Sequence, residues 1–188
     1  MRVNLAITEL FVGGAERCLT ELAIGMAASG DAVRVFSLGT LPVGEQGILV
    51  QRLESAGIPV ESGNADSALR FHTAYRHLRD WYSASKPDIS QSFLFHANVL
   101  ATFAAGAAGV DITVGGLRVA ESKRLRCRIE RAAVLRMQSL VCVSRAVQDF
   151  ARQRLGCGPE KAIVIPNGVD VSRFASAPEL DWSSIGWP

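Results

Sequence analysis

The strongest constraint on this chain is the regular exchange of short β-rich runs with longer stretches of helical periodicity, repeated along its length. That alternation is the sequence form of a parallel sheet with helices on both faces, because each parallel strand pair needs a crossover long enough to hold a helix. The strand-like runs are Arg2 to Thr8, Ala32 to Leu38, Ile58 to Glu61, Ile89 to Phe93, Asp111 to Val114, Ser139 to Val143 and Lys161 to Ile165. Helices are expected over about Ala15 to Ala28, Ile48 to Ala56, Ala68 to Ser83, His96 to Ala108, Glu121 to Met137 and Ser144 to Leu155. The punctuation agrees. Gly30 stands where a helix C-terminal glycine belongs, Lys86-Pro87-Asp88 stops the third helix, and Ser144 has the chemistry of an N-cap. The expected fold class is therefore α/β, three layers built on a mostly parallel sheet.

At 188 residues the chain suits one domain or one lobe of a larger protein, and should bury roughly 70% of its unfolded surface. Nearly half of it is hydrophobic (48%) and a fifth is charged (20%), which excludes a disordered chain. A net charge of +2 does not call for nucleic acid. Cys18, Cys127, Cys142 and Cys157 form no Cys-x-x-Cys pair, so no zinc knuckle or thioredoxin-type site is indicated and reduced thiols are expected. The longest apolar stretch, Val99 to Val110, is well short of the roughly 20 residues that span a bilayer. A cytoplasmic location is expected, with peripheral attachment at the inner membrane face left open.

Between the first strand and first helix lies Glu9-Leu10-Phe11-Val12-Gly13-Gly14-Ala15-Glu16-Arg17. Without Cβ atoms, Gly13 and Gly14 let the backbone approach a ligand, and the following helix turn presents unpaired N–H groups to an anion. The spacing is neither Gly-x-Gly-x-x-Gly nor a P-loop. From the residues alone, plain punctuation and phosphate binding are both open. Arg118 to Arg136 carries seven cations (Arg118, Lys123, Arg124, Arg126, Arg128, Arg131, Arg136) against Glu121 and Glu130. Such a run is either a solvated helix face or a surface for an anionic acceptor or membrane.

Four segments in series, Gly13-Gly14-Ala15-Glu16, Phe95-His96-Ala97-Asn98, Val141-Cys142-Val143-Ser144-Arg145-Ala146-Val147 and Ile165-Pro166-Asn167-Gly168-Val169-Asp170, resemble the amino-terminal lobe of family 4 glycosyltransferases of the GT-B fold. The resemblance covers nearly the whole chain. It implies a Rossmann-like lobe, residues 1–170, on the acceptor side of a two-lobed enzyme. Residues 171–188 then begin the linker to a donor-binding lobe that lies beyond this sequence. It further implies sugar transfer from a nucleotide-diphosphate donor to a polysaccharide or glycolipid, with retention of configuration, no metal and no other cofactor.

The same resemblance assigns Gly13 and Gly14 to the donor diphosphate and His96 to the reaction centre as catalytic residue. Glu16, Arg118, Lys123 and Ser144 become candidates for acceptor or sugar contact. Asn98 is expected to act as a capping or supporting group. Peripheral membrane contact is expected, if anywhere, through Arg118 to Arg136. Because half the donor site is absent, this lobe alone is expected to be inactive. Two other classes are compatible with the residues: a sugar-nucleotide epimerase of the same architecture, and a non-catalytic module that binds an anionic partner through the basic segment.

Overall fold

The computed structural model describes residues 1–65, 70–168, 171 and 175. Seven strands and six α-helices alternate through it: β1 (Arg2–Ile7), α1 (Gly14–Ala28), β2 (Ala32–Ser37), α2 (Ile48–Ser55), β3 (Val60–Ser62), α3 (Phe71–Ser85), β4 (Ile89–Phe93), α4 (Phe95–Ala107), β5 (Ile112–Leu117), α5 (Arg124–Val134), β6 (Ser139–Cys142), α6 (Arg145–Leu155) and β7 (Ala162–Val164). A 3₁₀ turn, Gly44–Gly47, leads into α2. The expectation of a mostly parallel sheet sharpens to an entirely parallel one, in the order β3-β2-β1-β4-β5-β6-β7.

Burial explains the central strands. In β1, Val3, Leu5 and Ile7 enter one apolar cluster with Leu19 and Ala23 of α1 and Leu53 of α2. Ala6, alternating with them, enters the cluster on the other face with Leu78 and Tyr82 of α3 and Ala101 and Ala105 of α4. A third cluster packs α5 and α6 on Leu117, Leu140 and Cys142. Helices α1 and α2 thus cover one face, and α3 to α6 the other.

The largest departures from the expected boundaries fall at β5 and α5. Strand β5 does not stop at Val114 but runs through Gly115, Gly116 and Leu117. A Cβ on Gly115 would strike the Met137 sulfur, and one on Gly116 would lie 3.0 Å from the Ser92 carbonyl. The glycines are there for close packing, which single-residue propensity scores as a break. Helix α5 spans only Arg124–Val134 rather than Glu121 to Met137. The expected starting residues of the third helix, Ala68 and Leu69, lie outside the described residues, as does nearly all of the expected linker 171–188.

Candidate functional site

The strand order reverses between β1 and β4: the chain steps from β1 outward to β2 and β3, then returns to β4 and proceeds the other way. Because every strand is parallel, the loops after β1, β4, β5 and β6 all emerge at one edge of the sheet. In open α/β sheets that crevice, at the switch point, is where ligands collect. The loop carrying Gly13 and Gly14 leaves β1, and the turn carrying His96 leaves the adjacent β4. They are tied by Ala97 N–H, which donates to Thr8 Oγ1 at 3.4 Å.

Gly13 is the N-cap of α1 in an extended conformation and supplies no side-chain cap, so the first N–H groups of the helix are left for other acceptors. The two glycines differ. A Cβ on Gly13 would collide with the Glu16 carboxylate, whose Cδ would lie 3.1 Å away, whereas a Cβ on Gly14 would meet nothing within 4 Å. Glu16 is buried in the first turn of α1 and folds back over Gly13, as the acid of a capping box does. Gly14 is the glycine that faces open space.

His96 opens α4 behind Leu94, the N-cap, whose φ of 72° and ψ of 159° put a leucine in a region normally left to glycine. The His96 ring is half-buried between Phe71 and Phe95, with ring centroids 5.0 and 5.1 Å away. Burial lowers its pKa, the Arg126 charge lowers it further, and Glu9 opposes both. Both effects favour the neutral imidazole, which donates from one ring nitrogen and accepts at the other.

His96 lines a cleft together with Thr8, Asn98, Arg118, Arg126 and Glu130. Asn98 closes its floor. Asn98 Oδ1 accepts from Ser92 Oγ at 2.8 Å and from Gly116 N–H at 3.3 Å, while Nδ2 donates to the Gly116 carbonyl at 3.0 Å. The side chain is therefore spent on joining β4 to β5. Arg118, at the end of β5, donates to Asn167 Oδ1 at 2.6 Å and to Cys18 Sγ at 2.7 Å, and lies over the Phe93 ring at 5.4 Å. Its position braces three elements around the cleft.

Of the residues singled out from sequence, His96 and Arg118 share the cleft, and Gly13, Gly14 and Glu16 stand beside it across β1. Lys123 and Ser144 do not line it. Lys123 is 83% exposed and pairs with Glu121 at 3.2 Å. Ser144 caps α6, its Oγ accepting the Val147 N–H at 3.3 Å. Thr8, Arg126 and Glu130 were not singled out. A signal did exist for Glu130: it falls in the apolar stripe Cys127, Glu130, Ala133, Val134 that α5 buries, where an acid is out of place unless partnered or functional. No cluster of three or more His, Cys, Asp or Glu able to hold a metal occurs among the described residues.

Fold and site together define a doubly wound α/β unit with a cleft at its switch point. The chain belongs to Glycosyltransferase Family 4, whose family model matches residues 12–173. It is 28% identical over 173 residues to a phosphatidyl-myo-inositol mannosyltransferase of Mycobacterium tuberculosis, covering 90% of this chain and 44% of that protein. The chain thus spans under half the length of that relative. In fold it resembles Anabaena Alr3699/HepE in complex with UDP (TM-score 0.74, 21% identity, 92% of this chain and 45% of the other). The UDP-GlcNAc 2-epimerase of Neisseria meningitidis, bound to UDP-GlcNAc, is more distant (TM-score 0.62, 13% identity, 87% and 45% covered).

Proposed function

We propose that this chain is the acceptor-side lobe of a retaining, metal-independent glycosyltransferase that moves a sugar from a nucleotide diphosphate to a glycolipid or polysaccharide. The observation that carries the proposal is the placement of Gly14, with open space beside it at the start of α1, and of the half-buried His96 in the first turn of α4, after adjacent strands at the switch point. Charge grows on the leaving diphosphate as the glycosidic bond breaks. Helix N–H groups aimed at that charge stabilise it without a metal. His96 contacts the transferred sugar beside the bond that breaks, and the acceptor enters over β4 and β5. A second lobe, following the linker 171–188, completes the donor site.

Two observations support this acceptor class. The mycobacterial relative acts on a phosphatidyl-inositol, judged by its name. In addition, α5 exposes Leu125 (71%) and Ile129 (40%) among the exposed cations Lys123, Arg124 and Arg128, a face suited to an anionic bilayer surface. No helix among the described residues is long and apolar enough to cross a membrane, so the contact proposed is peripheral.

The test is product analysis with the full-length protein, a panel of nucleotide sugars and a lipid extract, in the presence of EDTA. The expected outcome is a glycosylated lipid or glycan with retained anomeric configuration, reduced on the order of 100-fold by His96→Ala. An epimerised nucleotide sugar formed without acceptor would establish the rival epimerase activity. The isolated 188-residue chain is expected to show no transfer.

A further inference from the structure

Buried side-chain polar atoms without a hydrogen-bond partner are rare in native proteins and mark places with a special role. Among the described residues they are Arg34 Nε, Ser37 Oγ, Arg118 Nε, Arg126 Nε and Glu130 Oε1. The last three belong to residues that line the cleft below His96. Two nitrogen donors and one carboxyl oxygen are therefore unmatched on residues that line one cleft.

Glu130 is the centre of this mismatch. It is only 2% exposed, yet the guanidinium whose charge acts on it is engaged elsewhere. Arg126, one helical turn before it, is paired with Glu121 and lies flat on the Phe95 ring at 4.3 Å. Burial pushes the Glu130 carboxyl up to about 7, with Arg126 opposing the rise and Glu121 adding to it. The other charged and titratable groups at the cleft are His96 on α4 and Arg118 at the end of β5. Near neutral pH the carboxyl is protonated in a large share of molecules. It then has a proton to give as well as an oxygen that accepts.

We propose that this cleft is a polyol subsite, in which Glu130 exchanges hydrogen bonds with a ring hydroxyl while Arg118 and Arg126 donate to the neighbouring oxygen. A hydroxyl both donates and accepts, so it suits a carboxyl beside N–H donors. A phosphate is disfavoured, because the ionised form of Glu130 would repel it. The size agrees: a cavity of about 140 Å³ is smaller than the ~300–1,000 Å³ of drug-sized sites, room for part of one ring rather than a whole nucleotide sugar. The hydroxyl comes from either the transferred sugar or the acceptor. This inference rests on the transferase reading for the origin of its ligand, and on the orphaned atoms for its place.

The test uses the full-length protein carrying ¹³C-carboxyl glutamate. Methyl α-D-mannoside and UDP-glucose are titrated separately, and the Glu130 signal is assigned from its absence in Glu130→Leu. The expected result is a saturable shift of the Glu130 carboxyl signal with at least one of the two. In steady-state transfer, Glu130→Leu raises KM by about tenfold or more for the substrate that supplies the hydroxyl, and Glu130→Gln by less than about threefold. A rise for acceptor alone or for donor alone identifies the source. The absence of a saturable shift in any glutamate carboxyl signal of the wild type with either sugar overturns the proposal, and does so even if Glu130→Leu fails to fold. So does a folded Glu130→Leu enzyme with both KM values unchanged. A wild-type protein that transfers no sugar but shows the carboxyl shift retains the subsite and removes the transferase reading.

Discussion

Arg118 Nη1 donates to Asn167 Oδ1 at 2.6 Å, joining the end of β5 to the segment after β7 across 49 residues of sequence. The same side chain reaches Cys18 on α1 at 2.7 Å and covers Phe93. Replacing it with methionine removes all three contacts and keeps much of the bulk. The expected loss is about 1–2 kcal/mol, measured as a lower urea midpoint. Lysine should recover less than half of this, because a single ammonium does not reproduce the planar fork.

The glycine pair separates structure from function. Gly13→Ala pushes the Glu16 carboxylate, the free end of a flexible side chain, out of its place, since its Cδ would lie 3.1 Å from the new Cβ, and with the loss of a favoured N-cap residue should cost about 1 kcal/mol of stability. Gly14→Ala meets nothing within 4 Å and stands at the start of a helix, so stability should hold or rise by up to about 1 kcal/mol. If Gly14 faces the diphosphate, the same methyl group should raise donor KM in the full-length enzyme. Thermal unfolding and donor titration of both variants decide the matter, and unchanged donor binding in Gly14→Ala would remove the phosphate role.

Two cleft residues give stability opposite pH dependences. Burial moves Glu130 from its usual 4.5 to about 7 in the folded chain. Between those values the folded state keeps a proton that the unfolded state releases, so stability falls as pH rises, by at most about 3 kcal/mol over the window. His96 is shifted down, so below its ordinary range the unfolded state binds the proton first and stability falls as pH drops. Glu130→Gln should abolish the first slope and leave the second. Denaturant midpoints from pH 5 to about 8 for both proteins provide the check.

The exposed face of α5 predicts vesicle binding. Reversing the charges of Lys123 and Arg124, both exposed, should weaken adsorption of the full-length protein to anionic vesicles by about 2–4 kcal/mol, at about 1 kcal/mol per unit of charge near the surface. Leu125→Ser, at a residue 71% exposed, should weaken it further without lowering stability. Cosedimentation with vesicles of rising anionic content measures both. Equal binding by wild type and the reversed variant would exclude this surface.

Local pattern carried much of the fold. The alternation of elements, the capping of α6 by Ser144 and the Gly30 terminus depend on contacts within a few residues, which periodicity and turn chemistry report directly. Strand β4 emerges with the bounds expected for it, Ile89–Phe93. Misjudged stretches are those governed by distant atoms. Gly115 and Gly116 look like a strand end until Met137 and the Ser92 carbonyl are packed against them. Lys123 and Arg126 look equivalent in a basic run, but α5 turns one to solvent and lays the other on Phe95.

Sequence alone determined that the chain forms a parallel α/β lobe and to which family it belongs, because both are written in ordered short motifs and their spacing. Only the tertiary structure decided where the cleft lies and what lines it. Strand order brings the loop after β1 beside the turn after β4, although 82 residues separate Gly14 from His96. The helical pitch of α5 then turns Glu130 inward while Arg126 is held by Glu121 and Phe95. The apolar stripe of α5 marks Glu130 for burial, but that its carboxyl is left without a partner is a product of packing in three dimensions.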